Sequence, residues 1–218
     1  MALPPDDLMR RVLHLLVHHG YVVLLGELIE HPRLQVESLH MLLVLLTRLG
    51  ATPDGAAVLL EAGVVGKLAR APLLTSDIYQ PDGMAFESAA PAAPQAEARV
   101  AAQVQTLELA LGLLNALLAH RNGGGDAAPR LHADACAFLR EHGDVLEQLL
   151  RGKERSLRGL SVAAEVANVL LHLSGDMQRY VDGLGRLGES FYGIAVAFAG
   201  NLGRAPLPAG VGAPPGAK

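Results

Sequence analysis

Along most of this chain apolar side chains recur at steps of three and four, the spacing that lines one face of an α-helix. Pro4-Pro5-Asp6-Asp7 is a helix-opening signal, since proline suits the first turn and acids there are favoured by the helix dipole. Leu8, Val12, Leu15 and Leu16 form the stripe that follows, and Gly20 closes the helix. A short second helix is predicted over 21–30, stopped by His31-Pro32. The third, over about 34–49, is apolar on more than one side (Leu39, Leu42, Leu43, Val44, Leu45, Leu46), which predicts neighbours on both flanks. Thr52 then reads as an N-cap with Pro53 at the first helical position and Gly63 as the stop, after which Val64, Val65 and Leu68 begin another short helix.

Residues 75–97 break this rhythm. Pro81, Pro91 and Pro94 stand among alanines, which predicts a surface loop with a turn of helix near 77–79. The longest regular helix is predicted over 98–120, with Val100, Val104, Leu107, Leu111, Leu114 and Leu118 on one stripe, and Gly123-Gly124-Gly125 ends it. After Pro129 come two short helices. Leu131, Ala135, Phe138 and Leu139 line the first, Gly143 ends it, Asp144 caps the next, and Val145, Leu146, Leu149 and Leu150 are that helix's buried face. A third opens at Ser156 or Ser161 with the stripe Leu160, Ala164, Ala167 and Leu171, and stops at Gly175. A last helix is predicted over 177–202 on Tyr180, Leu184, Leu187, Phe191, Ala195, Phe198 and Leu202, held by packing because its five interior glycines oppose it. The tail 204–218 has too little to bury to be ordered.

Together these elements predict an all-α fold, a right-handed superhelical stack of helical hairpins of the armadillo or HEAT type. Its parts are a hairpin stack over 1–74, the Ala/Pro-rich loop 75–97, a continuation of the stack over 98–203 and the tail 204–218.

Composition sharpens that picture. Half of the residues are hydrophobic but only 4% aromatic, with no tryptophan, so the core must be built from Leu, Val and Ala, a helix-packing vocabulary. The 18 basic and 22 acidic residues leave a net charge of −4, which argues against a nucleic-acid surface. The single cysteine, Cys136, cannot form an internal disulfide and reads as a small buried hydrophobe in a reducing compartment. No unbroken run of 18 apolar residues occurs, and MALPPDDLMRR lacks the basic start of a signal peptide, so a soluble intracellular chain without membrane insertion is expected.

Candidate chemistry is sparse. His14 and His18 share a helix face at a spacing used by zinc sites, but no glutamate stands beside the first and no third ligand is evident. The glycine run in RNGGGDAAPR lacks the lysine and the Ser or Thr of a phosphate loop. Ser88 and Ser190 have no nucleophile-elbow context. Neither an enzyme nor a cofactor or metal is expected.

In TPDGAAVLLEAGVVGKLARAPLL, in TLELALGLLNALLAH, and in LHADACAFLREHGDVLEQLLRGKE followed by SLRGLSVAAEVANVLLHL, the chain resembles the C-terminal end of the large α-solenoid scaffold nucleoporins of the nuclear pore's inner ring. The resemblance covers most of 36–202, with Phe138-Leu139, His142 and Asp144 its more specific points. It implies a structural component of the nuclear pore complex at the nuclear envelope, which binds short amphipathic helical segments of linker nucleoporins and so supports nucleocytoplasmic transport. The partner-binding positions it implies are Leu184, Leu187, Phe191, Ile194 and Phe198. The competing expectation is a free-standing armadillo-like adaptor that carries a soluble client protein.

Overall fold

A computed structural model describes residues 5–75, 94–120, 127–151 and 157–174, together with Leu184 and Gly193. Every regular element among them is a helix: α1 Pro5–His18, α2 Tyr21–Ile29, α3 Val36–Gly50, α4 Pro53–Glu61, α5 Val64–Ala69, α6 Pro72–Thr75, α7 Pro94–Ala119, α8 Ala127–Glu141, α9 Gly143–Arg151 and α10 Leu157–Ser174. The joints follow from local chemistry. Gly20 and Gly63 end α1 and α4 in the left-handed region, at φ 68° and 66°, where a side chain would be strained. At the start of α4, Thr52 Oγ1 accepts the Gly55 N–H at 3.2 Å and Pro53 follows the cap.

The helices fall into three groups of the same order, a helix, a tight joint, a short helix and a long helix: α1, Gly20, α2, α3, then α4, Gly63, α5, α7 with the one-turn α6 between, and then α8, His142, α9, α10, whose joint has no left-handed glycine. The third helices form a row, because α7 packs extensively on α3 and on α10. A second layer runs beside it, in which α5 packs on α2 and, more broadly, on α8. Between the layers lies one continuous core of Leu, Val and Ala with Phe138 as its largest fully buried side chain.

Because α7 sits between two neighbours it buries two faces. The predicted stripe Val104, Leu107, Leu111, Leu114 and Leu118 is buried, and so are Ala110, Leu113 and Leu117. Segment Ala101–Ala119 is long and apolar enough to cross a membrane by length and composition, yet here that apolarity is spent on helix neighbours. Polar ties set its register. His40 Nε2 lies 2.8 Å from Thr106 Oγ1 on the α3 side. On the α10 side Asn115 Nδ2 donates to the Glu165 carbonyl at 2.9 Å, and Ser161 Oγ donates to Glu108 Oε1 at 2.5 Å.

Four expectations need correction. The loop 75–97 is shorter at both ends: Thr75 closes α6, and α7 begins at Pro94, since proline suits a first helical position and Gln95, Ala96 and Glu97 are good helix formers. Asp144 is no N-cap. Gly143 is already helical, the Leu146 N–H bonds back to the His142 carbonyl at 3.0 Å, and His142 holds the flanking position. Leu15 points outward at 56% exposure, while among the described side chains of α1 Leu13 is buried in the core and Leu16 packs against it. In α10 the buried face is Val162, Val166, Val169, Leu170 and Leu173, whereas Ala164 and Ala167 are exposed and Leu171 is 71% exposed. The branched valines fill more of the space against α7 than alanines could, so they take the inner side. Asp77 to Tyr79, Gly123 to Gly125, the side chains of Leu149 and Leu150, and the tail 204–218 lie outside the described residues.

Candidate interaction surface

The exposed large hydrophobics are not spread evenly. They lie on α1 (Leu15, Val17), on α2 (Tyr21, Val23, Leu24, Leu28), on α3 (Met41, Val44) and on α10 (Leu171), and none occurs in the described parts of α5, α7 or α8. Among the described residues the apolar surface thus belongs to the outer members of the row, most of it to the first group of three helices.

Local sequence explains the larger patch. The segment YVVLLGELI of α2 is apolar apart from Glu27, so when Val22, Gly26 and Ile29 turn inward toward α5, Tyr21, Leu24 and Leu28 are left as an outward stripe at steps of three and four. Gly20 turns the chain between α1 and α2 through 85°, and Leu15 and Val17, also exposed, lie within the last turn of α1 before it. Rings gather there too: His14 stacks on His18 with centroids 6.0 Å apart, His18 meets His19 edge-on at 5.0 Å, and His19 lies 5.7 Å from Tyr21. All four side chains are exposed. Among the described residues no group of three or more His, Cys, Asp or Glu could hold a metal ion.

Elsewhere the polar groups serve joints. Arg70 Nε donates to Glu30 Oε1 at 2.8 Å and ties the end of α5 to the end of α2. Asp134 on α8 faces Arg70 and Arg130, but partial burial outweighs both and raises its carboxyl pKa. Cys136 Sγ lies 3.7 Å from His132 Nδ1. That pairing could suggest a nucleophile, yet both side chains are buried, burial pushes the thiol pKa up, and His132 Nε2 lies 3.3 Å from the Leu173 carbonyl, so the pair ties α8 to α10. His142, at the α8–α9 joint, is 1% exposed, with its ring 4.6 Å from Phe138 and no hydrogen-bond partner for Nε2. Burial lowers its pKa to about 4, although the backbone of Ala69 and Leu74 favours the charged ring.

Of the partner-binding positions that the resemblance implies, Leu184 is 4% exposed and belongs to the chain's own core. Leu187, Phe191, Ile194 and Phe198 lie outside the described residues. The outward corner of α1 and α2 was not singled out from sequence, although the all-round apolarity of YVVLL was its visible signal. No protein-family model, curated protein or solved structure matches the chain.

Proposed function

We propose that this chain is a structural scaffold component of the nuclear pore complex inner ring, a non-enzymatic binder of short amphipathic segments of linker nucleoporins that supports nucleocytoplasmic transport. The observation that carries it is the threefold order of helix, tight joint, short helix and long helix, with third helices stacked in a row. Such a plan supports a right-handed superhelical stack of the armadillo type, in which each unit contacts chiefly its neighbours and the outward faces are left for other polypeptides. The segments FLREHGDVLEQLL and GVVGKL, which carry the resemblance to inner-ring scaffolds, fall at two of the three tight joints. On this reading the stripe Tyr21, Leu24 and Leu28 receives the apolar face of an amphipathic helix, whose anchors repeat at the same spacing.

The test is a tagged chain at its own expression level. A rim of signal at the nuclear envelope and recovery of inner-ring partners are expected, with recovery reduced by Leu24→Asp. An evenly distributed cytosolic protein that recovers other clients would overturn the pore assignment and favour the free-standing adaptor.

A further inference from the structure

The outer face of α3 carries a short sequence with an internal symmetry. Glu37, Met41, Val44 and Arg48 follow one another at steps of four, three and four, so they stand in one line on the helix, and all four are exposed. Met41 is 76% exposed, the highest value among the large hydrophobics. The line lies opposite the core face of the same helix, where Leu39, Leu42, Leu43, Leu46 and Leu49 are buried. Among the described residues neither Glu37 nor Arg48 has a hydrogen-bond or ion-pair partner.

Read backwards, the line has the opposite charge order with the same apolar centre. If a second α3 is laid antiparallel on the first, Glu37 faces Arg48 at each end and Met41 faces Val44 in the middle. A two-fold axis makes both ends equivalent, as an isologous contact requires. A parallel arrangement would instead put Glu37 on Glu37 and Arg48 on Arg48, with like charges opposed at both ends. The charge pattern therefore selects both the kind of partner and its direction, much as flanking charges set orientation in coiled coils.

We propose that the exposed line Glu37, Met41, Val44 and Arg48 on α3 is a self-association surface, on which a second copy of this chain docks its own α3 antiparallel about a two-fold axis. This goes beyond the scaffold function proposed above. One helix on one helix is a small contact, so the dimer is weak and concentration-dependent.

Sedimentation velocity of the full chain between roughly 5 and 500 µM tests it, since a small contact is populated only toward the upper end. Wild type is expected to shift from monomer to dimer across that range, and Met41→Glu to remain monomeric. Glu37→Arg alone and Arg48→Glu alone each place like charges at both ends and should weaken association by about tenfold or more. Mixed together, those two variants recover opposite charges at both ends and should form a heterodimer, and the double variant should associate as wild type does. All four positions are exposed, so an unchanged helical spectrum and melting temperature verify that each variant is folded. A wild type that is monomeric throughout overturns the proposal, as does a failure of the mixture and the double variant to regain association.

Discussion

Acid should loosen this fold through one imidazole. His142 is 1% exposed, and burial holds its pKa near 4 against 6.5 for a free histidine. The native state therefore resists a proton that the unfolded chain accepts. Since the folded pKa lies below the unfolded one, the neutral ring's contribution is fully present above about pH 6.5 and is lost as pH falls toward about 4. Each pH unit within that window costs up to about 1.4 kcal/mol, and the whole window about 3 kcal/mol, a large part of the stability of a chain this size. Urea unfolding of wild type and His142→Phe at several pH values between 7.5 and about 4 isolates the effect. Phenylalanine keeps a planar ring beside Phe138 and cannot titrate, so its stability should fall less steeply with acid. Asp134, whose pKa is raised, contributes alike to both proteins and cancels in the difference. Parallel curves for the two proteins would refute the reasoning, because they would mean that His142 reaches solvent in the native state.

Three further substitutions probe the packing. Phe138→Ala empties the largest fully buried side chain and should cost about 3–5 kcal/mol in denaturant unfolding; an unchanged midpoint would place Phe138 on the surface. Gly55→Ala should destabilise by about 1–3 kcal/mol although alanine is the better helix former, because its Cβ would collide with the Leu49 carbonyl oxygen at the crossing of α3 and α4. A Gly55→Ala protein that melts no lower than wild type would show that α4 can shift away. On α10, Val169→Asp should cost on the order of 4 kcal/mol or more by burying a charge, while Leu171→Asp should stay within about 0.5 kcal/mol. The reverse order would return α10 to the face that its alanine stripe suggested.

Legibility in the sequence follows how one-sided each helix is. Thr52, Pro53 and Gly63 announced α4 because capping chemistry is local and needs no neighbour. The stripe Leu131, Ala135, Phe138 and Leu139 was unambiguous because it holds every large apolar side chain of α8. Helix α10 carries two interleaved stripes of equal regularity, and spacing alone cannot rank them; side-chain volume could have, since the inner one is rich in valine. At the α8–α9 joint Gly143 suggested a stop with Asp144 as the next cap, but the chain turns there at His142 without positive φ, so Asp144 falls inside the helix. The outward stripes of α2 and α3 were visible only as excess apolarity. Which side of a helix remains uncovered depends on neighbours that lie distant in the chain, here α5 for α2 and α7 for α3.

The placement of α7 between α3 and α10 also governs when this chain can acquire its shape. Although α4 covers part of α3 early, the side of α3 that packs on α7 is not fully covered until residue 119 has been made, about 69 residues after α3 ends, which at ribosomal speeds of 5–20 residues per second is roughly 3–14 s. During that interval the apolar side chains of α3 that await α7 are open to other apolar surfaces, the kind of transient exposure that makes a nascent chain prone to aggregate.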